Sequence, residues 1–377
     1  MFRLFYWGDH LKKSSVFITA FSCFLLYSLL RYPSEMLSAS ADSIRLWLTR
    51  VFPSLFPFLA ASGILLRTGA AEKFGKYLSP LMKPIFGLNG IAAFPFFLGM
   101  LSGYPMGAKI TAELYERKQI TLEEAQHILV FSNNPGPLFL IGTIGTGFFG
   151  MPQYGYLLLF SSFFGSILTG ILWRFRKKTS SRKRRTSPLF HFQASISEIL
   201  SASVSDAVNT TLLIGGYLIL FAALSEGLEQ TGLNQMLSEF LFFLPVSAET
   251  LHGCISGVLE MTNGAWLLSQ SADPLRLRLT LVSFLVSFGG CSILAQTLGV
   301  LSNVPINKKD YLKGNLLNAL FSSLFFCFFY LFFEQKAQKA VPVFFLSTET
   351  AFTLSFLWLF PSLFFIGVLC HAIIPKR

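Results

Sequence analysis

Four short stretches of this sequence set helix-breaking residues and polar side chains inside otherwise apolar segments. They are SGYPMGAK (Ser102–Lys109), SNNPGP (Ser132–Pro137), LEMTNG (Leu259–Gly264) and GGCSILAQ (Gly289–Gln296). They bring together Ser102, Tyr104 and Lys109, the amides Asn133 and Asn134, and the Glu260, Thr262 and Asn263 group. Ser292 and Gln296 complete the side chains, and Gly103, Gly107, Gly136, Gly264 and Gly290 supply bare backbone beside them. Hydroxyl, amide and backbone N–H groups hold a solute by hydrogen bonds. They do not make a nucleophile–base pair. The chain has no H-E-x-x-H, no Walker-type loop and no G-x-S-x-G, and His127, His252 and His371 lack metal-ligand spacing. It therefore carries no enzyme signature and implies no metal or other cofactor.

The elements that carry these residues follow from the cost of the breaks. In the segment Gly90–Lys118 a single helix would run Gly103, Pro105 and Gly107 through its centre. Proline in a helix interior costs ~3 kcal/mol or more, and each glycine adds up to ~1 kcal/mol. A re-entrant hairpin removes the conflict: the arms become half-helices and SGYPMG becomes a tip at mid-membrane depth. Unpaired backbone groups there cost several kcal/mol each against lipid, so the tip must be buried in protein or face water. The second half-helix begins near Pro105, a residue suited to a first turn, and its free N–H groups and positive dipole end favour an anionic or carbonyl-rich ligand.

The segment 250–271 repeats this design with Glu260, Thr262 and Asn263 at its tip. Glu260 either takes part in ligand or proton binding or caps the tip, because an isolated carboxylate at that depth is paired or protonated. Lys109 balances a ligand carboxylate, pairs with Glu260 or snorkels to the interface. Tyr104 stacks on a planar ligand or packs, and Met261 packs. Pro135 and Pro137 interrupt the span 122–149, and Gly289–Ser292 more gently interrupts 276–302.

Composition makes these segments membrane-embedded. Of 377 residues, 53% are hydrophobic and 13% charged, with mean hydropathy +0.57. A soluble chain of this length could not bury that much apolar surface. Full spans are expected near 14–32, 46–67, 122–149, 154–174, 206–226, 276–302, 314–333 and 351–374. The stretch 14–32 reads as a retained span rather than a signal peptide, because its apolar run is long and no A-x-A-like site follows. Short amphipathic segments at Tyr77–Phe86 and Leu233–Phe243 read as interfacial. The five cysteines have no C-x-x-C spacing and read as packing residues.

The net charge of +11 is concentrated in loops. Arg174–Ser187 carries eight Lys and Arg and no acid. This marks a cytoplasmic loop rather than a nucleic-acid site, and it places both termini in the cytoplasm. Arg276 and Arg278 fit that scheme poorly.

The middle of the chain is written twice. LLRTGA (Leu65–Ala70) echoes LEQTGL (Leu228–Leu233), and Gly99–Ala108 matches Gly257–Ala265. Phe131–Gly145 corresponds to Val286–Gly299, and each unit closes on a Phe-rich span. Three full crossings per unit give an inverted-topology repeat. The expected organisation is an N-terminal span (1–37), a first repeat (38–174), a basic loop (175–192), a second repeat (193–335) and a C-terminal span (336–377). The fold class is an all-α polytopic membrane protein, with about eight transmembrane helices plus two re-entrant hairpins.

The stretches Gly99–Thr121, Phe131–Gly150, Leu259–Gly264 and Phe288–Thr297 resemble the sporulation integral membrane protein family YlbJ (SpoVV), which carries the nucleoside recognition Gate domain. The resemblance covers roughly residues 40–335. It implies a fold similar to concentrative nucleoside transporters, in the cell membrane or outer forespore membrane of a spore former. It also implies a role in moving dipicolinic acid during sporulation, with a nucleoside as the alternative solute. By motif, the ligand falls at Ser102–Gly107, Asn133–Gly136, Glu260–Gly264 and Gly289–Ser292. The first tip lacks the acid common in nucleoside transporters, which suits a small planar dicarboxylate better. Partners are then the solute and the lipid bilayer, with no nucleic acid; a coupling ion and homo-oligomerisation stay open. A non-transporting scaffold or sensor with the same fold is the rival reading.

Overall fold

The computed structural model describes residues 13–175, 195–240 and 245–339, and every regular element in them is helical. The first half comprises α1 (Lys13–Arg31), α2 (Pro33–Leu46), a π turn (Trp47–Val51), α3 (Phe52–Arg67) and α4 (Ala70–Phe86). Then come α5 (Ala93–Ser102), α6 (Met106–Glu116), α7 (Leu122–Ser132), a π-helix (Leu138–Phe148) and α8 (Pro152–Arg174). The second half comprises α9 (Ile196–Gln230), α10 (Leu233–Phe240), α11 (Ala248–Leu259), α12 (Met261–Gln270), α13 (Leu275–Phe288), α14 (Gly290–Val300) and α15 (Lys308–Lys339).

Both hairpins turn back on themselves. Gly99 and Gly107 would lie about 12 Å apart along one straight helix. Here a Cβ built on Gly99 would sit 3.0 Å from the Gly107 Cα. In the second hairpin a Cβ on Gly264 would sit 2.1 Å from the Gly257 Cα. Only a residue without a side chain lets the arms approach so closely. The first reversal is made at Gly103, whose φ of +90° is open to glycine; the Tyr104–Pro105 peptide bond is cis.

Among the described residues, four helices are long and apolar enough to cross a membrane: Pro152–Arg174, Ile196–Gln230, Leu275–Val300 and Lys308–Phe332. The expected spans 14–32 and 46–67 are helical but contain only shorter apolar helices, Ile18–Arg31 and Leu55–Arg67, the second following the π turn. A further pair, Lys73–Phe86 and Gly90–Ser102, is bent by 90°. The expected span 351–374, most of the basic loop and residues 241–243 of the second interfacial segment lie outside the described residues.

Several boundaries differ from expectation, for local reasons. The span expected at 206–226 is a helix from Ile196 to Gln230. It starts early because Ser195 and Glu198 form a reciprocal capping box. The interfacial segment expected at Tyr77–Phe86 begins at Ala70, directly after Gly69. Helix α2, not anticipated, starts with Pro33 in its first turn and buries Met36.

There are two large apolar cores, and each draws residues from both halves. The first is centred on α4 to α7, where Phe86 stacks on Phe131 at 4.5 Å and Phe96 lies 5.4 Å from Phe131. The second joins α8, the π-helix, α12, α13 and α15 through Leu140, Leu158, Leu268, Val282 and Phe326. Arg278, awkward as a topology signal, donates to the Ser269 carbonyl at 2.7 Å and lies over the Phe149 ring. It serves the negative end of α12.

The close glycine contacts give a direct test. Gly264→Ala and Gly107→Ala each force a methyl group onto backbone atoms, at 2.1 Å and 2.0 Å. Each is expected to destabilise the protein by roughly 3 kcal/mol or to prevent folding. Gly216→Ala, with nothing within 4 Å, is expected to be neutral or stabilising by about 0.5–1 kcal/mol. Thermal unfolding of the detergent-purified variants reads the contrast.

Candidate solute site at the helix breaks

The first break lies between α7 and the π-helix. Asn133 leaves the helix in an extended conformation, and the prolines at 135 and 137 prevent its return. The Ser132 carbonyl fits against Gly99 and Gly107, so the break packs on its own hairpin. Gly136 meets that hairpin as well, where a Cβ would lie 2.9 Å from the Ser102 carbonyl oxygen. In the second half, a Cβ on Gly290 would lie 3.0 Å from the Gly257 carbonyl oxygen. Each break is thus seated on the hairpin of its own half.

Polar side chains then tie one half to the other. Tyr104, buried at the first tip, donates its hydroxyl to the Ser287 carbonyl at 3.0 Å, with the Val286 carbonyl at 3.2 Å. Asn133 donates through Nδ2 to Thr297 Oγ1 at 3.0 Å and to the Tyr311 hydroxyl at 2.9 Å. Asn134 donates to the Phe131 carbonyl and accepts from Asn318 Nδ2 at 3.2 Å. Gln296 donates to Ser292 Oγ at 3.2 Å, and both are buried.

Glu260 acts as the N-cap of α12. Its two carboxylate oxygens accept the Thr262 and Asn263 amides at 3.0 and 2.8 Å. This is the capping alternative of the sequence reading. The side chains of Thr262 and Asn263 beside it are half-buried. Ser102 turns its hydroxyl back to the Leu98 carbonyl. Lys109 pairs with Glu113, one turn along the same helix at 3.5 Å, and not with Glu260. The spacing of these two residues favours the local partner over one on another hairpin.

The tips meet through apolar surface. Tyr104, Met261 and Ile293 form a small buried cluster with Phe139 against it. Around it, Ser132 Oγ, Asn133 Oδ1, Ser287 Oγ and Asn315 Nδ2 are buried without a hydrogen-bond partner. Such groups cost about 1–3 kcal/mol each when left unpaired, so they are natural positions for water or a polar solute. The helices that start at these breaks, α6, the π-helix and α14, have no side-chain cap at their N-termini.

Sequence reasoning missed the polar face of α15 and Thr297. Tyr311, Asn315, Asn318 and Ser322 are all buried and form one polar stripe along α15, facing the first break. Their spacing of four, three and four residues is a one-face helical pattern. That signal was present in a segment read as a plain span.

These features define a multi-span helical membrane protein built around two helical hairpins and two interrupted helices. Residues 48–152 match the Gate family, described as nucleoside recognition. The sporulation integral membrane protein YlbJ of Bacillus subtilis (strain 168) is 31% identical over 337 residues, covering 83% of this chain and 82% of that protein. The chain belongs to the sporulation integral membrane protein YlbJ family. A solved structure of a CNTnw variant in an outward-facing state superposes with a TM-score of 0.46 at 11% identity, over 84% of this chain and 85% of that one.

Two substitutions probe the tips. Tyr104→Phe strips the donor from two buried carbonyls and is expected to cost about 1–3 kcal/mol. Glu260→Ala removes the cap and is expected to cost about 0.5–2 kcal/mol. Chemical or thermal unfolding of purified protein measures both.

Proposed function

We propose that the chain is a secondary carrier for a small planar solute bound between the two hairpin tips, with dipicolinate as the leading solute. The observation that carries this reading is that Tyr104 at the first tip and Asn133 and Asn134 at the first break are buried and bonded across to α13, α14 and α15 of the second half. A protein that needed only to span the bilayer gains nothing from such breaks, each of which gives up helical hydrogen bonds. The solute's carboxylates are bound by backbone amides at the uncapped starts of α6 and α14, not by Lys109. For the solute to enter, Tyr104 and Met261 separate. The two halves act as an inverted repeat rocking about this centre, with both termini on the cytoplasmic side.

A nucleoside is the second reading. One observation favours it: apart from Glu260, the side chains around the breaks are neutral amides and hydroxyls, and Lys109 is already paired.

Direct binding of dipicolinate and of nucleosides to the purified protein separates the two solutes. Proteoliposome uptake separates a carrier from a scaffold. The expected result is dipicolinate flux that falls at least tenfold in Asn134→Leu and Glu260→Gln proteins that still fold. Deleting the gene in a spore former is expected to lower spore dipicolinate. Tight nucleoside binding without dipicolinate binding would overturn the preferred solute. Normal fluxes and normal spores with both variants would overturn the carrier reading.

A further inference from the structure

A second polar cluster lies away from the breaks, where the end of α9 meets α10 and α11. The Glu229 carboxylate accepts from Asn234 Nδ2 at 2.7 Å and from Ser256 Oγ at 3.3 Å. His252 Nε2 lies 2.8 and 2.9 Å from its two oxygens. Asn234 also donates to Ser256 Oγ at 3.2 Å, and the Asn234 Oδ1 is buried without a partner. Asn234 and Ser256 are buried, whereas the His252 and Glu229 side chains each keep 29% of their exposure. The pair is held rigidly from within and open to protons from outside.

The fold does not require this chemistry. Aligning LLRTGA with LEQTGL, and Gly99 with Gly257, sets Glu229, Asn234, His252 and Ser256 opposite Leu66, Ala71, Phe94 and Leu98. In the first half those four belong to or pack against one apolar core. The same helix-end junction is thus built once from four apolar residues and once from four polar ones. A junction that only had to hold would do better with the apolar set, since a polar set gives up water to form its bonds.

The electrostatic setting is one-sided. His252 is the one basic side chain between Phe192 and Leu275, and every other charged side chain in that stretch is a carboxylate. Helix α9 brings Glu226 beside Glu229, α10 brings Glu239, and α11 brings Glu249 and Cys254. Helix α1, whose Ser28 meets Gly227, brings Tyr27 and Arg31. Helix α13 brings Arg276 and Arg278, with Asp273 just before it; α14 brings Cys291, and α12 has no ionisable side chain. Arg278 is engaged at the Ser269 carbonyl.

We propose that Glu229, Asn234, His252 and Ser256 form a proton-binding latch that fastens the α11 arm of the second hairpin to α9 and α10. With His252 protonated, an imidazolium bonds a carboxylate that two side chains, Asn234 and Ser256, already orient. With His252 neutral, one ordinary hydrogen bond replaces the ion pair and the arm is freer to move. The latch stands on the geometry of this junction. Its use in gating rests on the carrier reading, because α11 leads directly to the Glu260 tip.

The test uses the full-length protein in nanodiscs without any solute. Its Tm is measured from pH 5.5 to 8.5 alongside His252→Gln and His252→Lys proteins, and hydrogen–deuterium exchange of residues 248–259 is followed in the wild type after correction for intrinsic rates. The wild type is expected to lose about 2–4 °C relative to His252→Lys as pH rises through this window. His252→Gln should show no such step, and exchange in 248–259 should quicken at the alkaline end. Parallel Tm profiles for all three proteins overturn the latch. If either variant does not fold, exchange in 248–259 that is unchanged with pH does so on its own. These readouts involve no transport, so a failed latch and a failed carrier reading give different results.

Discussion

The structure depends on one constraint: backbone polar groups inside a membrane must find partners within the protein. At four places this chain gives up the helix that would supply them. What makes the breaks tolerable is packing within each half, bonds between the halves and one local cap. The Ser132 carbonyl sits in the crevice between two hairpin glycines. Tyr104 reaches the carbonyls at the end of α13, and Glu260 covers the amides that begin α12. The breaks are satisfied by different devices: the Glu260 cap is local, whereas the others need the assembled tertiary structure.

The devices also divide the labour between the two tips. The first tip has a tyrosine and no acid, and it leaves the start of α6 uncapped. The second carries its own carboxylate, which neutralises the start of α12. The field between the tips is therefore asymmetric although the backbone designs match. The same contrast recurs at the helix-end junctions, apolar at Leu66 and polar at Glu229.

Much of the site could be read from the residues alone. Proline and glycine at Gly103–Gly107 and Pro135–Pro137 announced breaks, since no neighbour can restore a proline's missing donor. The capping role of Glu260 was one of two open readings, because a carboxylate two and three residues before free amides can serve its own helix or a ligand equally well. Lys109 was open between a ligand, Glu260 and the interface; Glu113, visible one turn on, was not considered, and the local pair is the one formed. The α15 stripe was legible as a period but was obscured by the phenylalanines around it. The early start of α9 was legible in Ser195 and Glu198, whose capping box needs only local chain.

The sequence by itself determined where the hairpins and interrupted helices break and which segments are apolar enough to leave water. These follow from local backbone chemistry and composition, which each segment carries with it. Only the tertiary structure decided which polar atoms meet: Asn133 with Thr297 and Tyr311, Asn134 with Asn318, Tyr104 with α13, and His252 with Glu229. Those pairings depend on how far each hairpin enters and how the helices rotate about their axes. Side-chain packing across the whole protein sets both, and no single segment encodes either.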